Sequence, residues 1–198
     1  MHTVIEPQLA PPGAGLPRIE LWVARTLFGW RRFTGSRRFF SEHFQQERAN
    51  IGGLIQGLEP EAAARRVLIK RCRGLEDSSR YWSVWMTLDH LRIVNGQIAQ
   101  VIGALSHGVT PGGKASTAKV KPSPEVTGSV SAEYEAACDK LLATVAKISN
   151  LKTSLEYAHP WFGALNAAGW HALAGTHMRI HRVQMERILH GLKQPCAA

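Results

Sequence analysis

The chain holds only three cysteines, Cys72, Cys138 and Cys196, and they lie far apart. An odd, scattered set makes neither a disulfide framework nor a CxxC metal clip. With no signal peptide at the start, it points to a reducing cytoplasm. Long hydrophobic runs are missing too. The stretch LWVARTLFGW carries an arginine and is too short for a bilayer, which takes ~20 apolar residues, so no membrane is expected. No segment sustains the two-residue alternation of a half-buried strand. Acidic residues are scarce beside basic ones, 15 Asp+Glu against 24 Lys+Arg, giving a net charge of +9 and a pI near 9.9. That surplus admits an anionic partner such as nucleic acid or a membrane surface, but the charges are dispersed. The densest stretches, GWRRFTGSRRFF and ARRVLIKRCRG, contain no groove-reading motif. A solvated basic surface is therefore the expectation, and nucleic acid is not.

What is present suits one domain with a real core: 198 residues, 44% of them hydrophobic. Residues 1–17 are rich in Pro and Gly and read as an irregular arm, leaving a single domain over 18–194. The spacing predicts a helix over 19–33. Ser36 then caps a second, whose stripe is Phe40, Phe44, Ile51, Leu54, Ile55 and Leu58. EPEAAARRVLI reads as a short helix with Pro60 at its start. Asp77 and Ser78 are capping residues before a long helix over 80–105. Residues 107–131 form a long loop of Gly, Pro, Ser, Thr and Lys, a length that is either functional or mobile. A further helix is expected over 132–150, with Ala136, Leu141, Val145 and Ile148 inward. YAHPWFGALN reads as a loop. Asn166 caps a last helix running to about Leu189, with Gly191 as its C′ residue. The expected class is all-α: a four-helix bundle with a long crossover loop and extra short helices.

On the last helix, His177 and His181 stand four apart within the stripe Trp170, Leu173, Ala174, His177, His181, Gln184 and Ile188. Two imidazoles one turn apart can converge on one ion. The spacing equally suits two core histidines bonded to backbone or water. His90, in WMTLDHLRIVNG, lies beside the stripe Val84, Leu88 and Leu91 of the other long helix and is the candidate third ligand. Three histidines without thiolates suit Zn²⁺, Ni²⁺ or Fe²⁺ and leave an open position. His159, just before the last helix, either bonds a substrate, approaches the metal or orders its loop, and is expected to stand back from the ion. Gln184 is placed to orient a ligand histidine or a metal-held water, or is a satisfied core amide. Glu47 interrupts an apolar stripe. It either accepts a histidine N–H, acts as a base, or faces water on a rotated helix. Trp82, Trp85, Trp161, Phe162 and Trp170 are expected in the core and pocket wall rather than as a stacking platform for bases.

The segments GLEDSSRYWSVWMTLDHLRIV and HPWFGALNAAGWHALAGTHMRIHRVQ resemble the DinB-like superfamily of four-helix bundles, which carries one His on its second long helix and HxxxH on its last. The likeness runs from about residue 40 to 190. It implies that His90, His177 and His181 are metal ligands, that the site is open, and that the chain forms a homodimer as many members do, its aromatic N-terminal segment buried against the partner. Relatives include metal-dependent hydrolases and transferases that use low-molecular-weight thiols. The function implied is a metal-dependent hydrolase or thiol-dependent S-transferase acting on a small molecule, with a thiol as a second cofactor in the latter case. The alternatives are a non-catalytic metal-binding or sensing bundle and, more weakly, a basic nucleic-acid-binding module.

Overall fold

Three of the five long helices begin where a side-chain oxygen meets a free backbone N–H. Ser36 accepts from Phe39 N, Ser83 from Met86 N and Asn166 from Gly169 N. The computed structural model describes residues 6–193. Its helices are α1 (Arg18–Thr34), α2 (Arg37–Ile55), α3 (Pro60–Ala64), α4 (Val84–Ser106), α5 (Val130–Lys147) and α6 (Ala167–Leu192). Two short antiparallel pairs accompany them: β1 (Val67–Leu68) with β2 (Tyr81–Trp82), and β3 (Tyr157–His159) with β4 (Gly163–Leu165).

Helices α2, α4, α5 and α6 make a four-helix bundle. Helix α4 packs on α5 and α6, and α6 packs on α2. Arg48 of α2 reaches Glu135 and Asp139 of α5 and closes the ring. Phe44, Ile51, Leu88, Leu91, Ile98, Tyr134, Leu141 and Met178 fill the interior and exclude water from it. Helix α1 lies outside this ring, with Phe28 as its buried residue. Among the described residues, no helix is long and apolar enough to cross a membrane. Cys72 and Cys138 are buried and free; Cys196 lies outside the described residues.

Several boundaries differ from expectation. Asp77 and Ser78 do not cap α4 but form a 3₁₀ turn, and Ser83 is the cap. The reason is a backbone ladder: Ile69 N donates to the Arg80 carbonyl, and the Arg80 side chain donates back to the Ile69 carbonyl, holding the chain extended through Trp82. YAHPWFGALN is a hairpin rather than a loop, turned at residues 160–162, with Gly163 at φ 70° opening β4. Ala136 is exposed, while Tyr134 and Cys138 occupy the inward positions. Helix α6 runs through Gly191, whose missing side chain makes room for Val67: a Cβ there would lie 2.6 Å from Val67 Cγ1.

Candidate metal centre

His90 stands two turns into α4, and His177 and His181 share one face of α6 where the two helices pack. One ring nitrogen from each of the three falls within a 4.8 Å cluster. Ring centroids are 4.4 Å apart for His90–His181, 4.5 Å for His177–His181 and 5.1 Å for His90–His177. His90 and His181 are buried; His177 is half-buried and so forms the accessible side.

The proton positions follow from the partners. The Ser79 carbonyl can only accept, so the Gln184 NH₂ must face it, at 2.7 Å. That turns Gln184 Oε1 to His181, where it accepts from Nδ1–H at 2.7 Å. The Val120 carbonyl likewise accepts from His90 Nδ1–H at 2.6 Å. In neutral rings, both Nε2 atoms then keep their lone pairs for the space between the helices. His90 Nε2 lies 3.2 Å from His177 Nε2. Two nitrogens held at 2.0–2.1 Å on a tetrahedral ion stand ~3.3 Å apart, so this spacing fits such a pair. His177 Nδ1 is buried without a partner.

Burial keeps these rings neutral. It pushes His90 down to about 4 against the opposing pull of the Val120 carbonyl. It holds His177 and His181 well below the usual histidine value, with the neighbouring histidines adding repulsion. Neutral imidazole is the form that ligates a metal.

The outer bonds are themselves supported. Val120 ends a 3₁₀ turn (Thr117–Val120) in the loop between α4 and α5. That loop is tied down by Ser123 N to Asp89 Oδ2 (2.9 Å) and by Thr117 Oγ1 to Glu76 Oε1 (2.9 Å). Lys121 donates to Ser78 Oγ, Ser79 Oγ and Glu76 Oε2 at 2.8, 2.9 and 3.3 Å. The Lys121 ammonium also sits over Trp82, whose ring lies parallel to His181 at 6.0 Å.

The other expected site residues have partners of their own. Glu47 is buried rather than wet, but Arg182 Nε donates to it at 2.6 Å and none of the three histidines does. The ion pair accounts for a carboxylate on an apolar stripe. His159 lies outside the three-histidine cluster. Its Nδ1 accepts from Trp161 N and Phe162 N, and burial pushes it down to about 4. Trp161, Phe162 and Trp170 surround His159, whereas Trp82 is the ring packed on His90 and His181. The Val120 and Ser79 carbonyls, Lys121 and Glu76 escaped the sequence reading. A backbone carbonyl leaves no mark in residue type, and the other two lie in irregular segments without periodicity.

No family model matches the chain, and no curated protein matches it. A solved structure does match in shape: the crystal structure of TT2238, described as a four-helix bundle protein. It is 20% identical, covers 76% of this chain and 98% of its own, and has a TM-score of 0.56. The shared property is the fold. The chain is a four-helix bundle with a cluster of three histidines that can hold a metal ion.

Proposed function

We propose that this chain is a DinB-like metalloprotein that holds a divalent ion through His90, His177 and His181, and that it works as a metal-dependent hydrolase or thiol-dependent S-transferase. The observation that carries the reading is the pair of fixed tautomers. Val120 O and Gln184 Oε1 take the Nδ1 protons of His90 and His181, leaving both Nε2 lone pairs in the cluster. A divalent ion at such a site acts as a Lewis acid and lowers the pKa of a water or thiol. The protein's own share is orientation and exclusion. Gln184 and Val120 fix two rings, Trp82 closes the buried side, and His177 borders the accessible one. Three protein ligands leave room for an exogenous fourth, the arrangement of reactive rather than closed sites.

The test begins with metal analysis of the purified, dialysed protein beside His177→Ala. Near-stoichiometric divalent metal is expected in the wild type, with at least a ten-fold loss in the variant. Full stoichiometry in His177→Ala would remove the assignment. Metal-loaded protein assayed with thiol and electrophile, and separately with hydrolysable esters and amides, then divides the two reactions.

A second reading, a metal-binding or sensing bundle without catalysis, is favoured by one observation. His90 and His181 are buried, so only the half-buried His177 borders solvent. Stoichiometric metal with no turnover in either assay supports it.

A further inference from the structure

Helix α1 turns its apolar face to solvent. Ile19, Trp22, Val23, Leu27, Trp30 and Phe33 recur every three or four residues and share one stripe. Their exposure runs from 40% at Val23 to 89% at Phe33. No charged residue interrupts the stripe, and a contiguous apolar surface of this kind marks an interaction site. The helix is clamped in this orientation from behind. Phe28 is buried with its ring 4.6 Å from that of Phe162. Glu20 accepts from Arg71 and from Gly74 N, and Arg25 Nε donates to the Trp161 carbonyl. Beside the stripe runs a row of exposed arginines at seven-residue spacing, Arg18, Arg25 and Arg32.

We propose that α1 docks this protein on an anionic lipid surface, with the stripe in the headgroup boundary and the arginine row against lipid phosphates. Charge selects this occupant. In a two-fold pairing with a second copy, stripe on stripe and helices antiparallel, each flank meets its own counterpart. Arginine row would then face arginine row. A parallel pairing offers no relief, because the one acid of α1, Glu20, is held by Arg71. Residue type selects it as well. Ile19, Val23 and Leu27 require hydrocarbon, whereas a nucleic acid offers phosphates and base faces. Tryptophan with flanking arginine is the composition of interfacial helices, which lie in the surface plane rather than cross it. The stripe is ~21 Å long, at 1.5 Å per residue, enough to lie across several headgroups.

The test is co-sedimentation of the full chain with vesicles of phosphatidylcholine alone, or with an equal part of phosphatidylglycerol, at ~100 mM salt, where exposed charges still attract at short range. Binding is expected to be at least ten-fold stronger on the anionic vesicles, to weaken as salt rises, and to shift tryptophan emission to the blue. Trp22→Ser with Trp30→Ser should abolish it. Arg18→Gln with Arg32→Gln should reduce it to the level seen on neutral vesicles. All four side chains are exposed, so circular dichroism of both variants should match the wild type, and the lipid comparison itself needs no variant. Absent binding, or equal binding to both vesicle types, overturns the proposal. So does a dimer in sedimentation equilibrium that Trp22→Ser/Trp30→Ser breaks, which gives the face to a second copy. A salt-dependent shift of mixed DNA lost in the same variant gives it to nucleic acid instead.

Discussion

His181 keeps its Nε2 lone pair because a relay of oxygens dictates where its proton sits. Ser79 O orients Gln184, and Gln184 orients His181. Removing the middle of the relay should therefore weaken the site without touching a ligand. Gln184→Ala is expected to lower metal affinity ~10–100-fold, the usual effect of losing a partner bonded to a ligand histidine. Competition with a chelating dye reads this directly, and unchanged affinity would show that packing alone orients the ring. The three histidines and Gln184 were legible in the sequence, because helical spacing reports which residues share a face. Glu47 was legible only as a charge on an apolar stripe. Its partner Arg182 sits 135 residues away, and pattern along one helix carries no information about the helix opposite.

At the scale of elements, close approach separates glycines that look alike in sequence. A Cβ at Gly175 in α6 would lie 2.6 Å from His43 Cδ2 and 3.2 Å from Phe44 N, so α2 and α6 touch there through backbone. A Cβ at Gly53 in α2 meets nothing within 4 Å. Gly175→Val should destabilise by about 2 kcal/mol through overpacking, a fall of ~4–8 °C in Tm for a chain of this size. Gly53→Ala should instead gain roughly 0.5–1 kcal/mol of helix propensity. Calorimetry on the two variants checks the contrast, and similar shifts for both would mean that the helices do not approach at Gly175. Caps were readable where a polar residue directly precedes an apolar stripe, as at Ser36 and Asn166. The β1–β2 and β3–β4 pairs were not. Strands of two or three residues show no periodicity, and they exist because backbone groups from separate segments find each other.

For the molecule as a whole, the apolar core and the metal cluster are separable. Phe44, Ile51, Leu88, Leu141 and Met178 bury surface whether or not an ion is present. Chelation of metal-loaded protein should leave the helical circular dichroism signal nearly unchanged, unlike a zinc finger, which unfolds. Loss of helix on chelation would make the ion structural. Acid should act differently. His171 is buried with Nε2 3.2 Å from Ser41 Oγ, and burial together with Arg37 pushes it down to about 4. A histidine held neutral by the fold takes up its proton in the unfolded chain first. Its contribution is therefore full above ~6.5 and is lost as pH falls from there towards 4. Tm should drop across that window, and His171→Gln should flatten the drop. An equal slope in the variant would assign the acid loss to other groups.

The sequence by itself determined the all-α class, the apolar faces of α4 and α6, and the three histidines on them. These follow from a 3.6-residue period, which is a local property of the chain. Tertiary structure alone decided that His90 meets His177, that Val120 and Ser79 supply the oxygens fixing the rings, and that the apolar stripe of α1 points outward. An amphipathic period says that a helix has an apolar side. Which side the rest of the molecule covers is set by contacts between residues distant in sequence, such as Arg71 with Glu20 and Phe162 with Phe28, and these hold the side of α1 that carries Glu20 and Phe28 against the bundle.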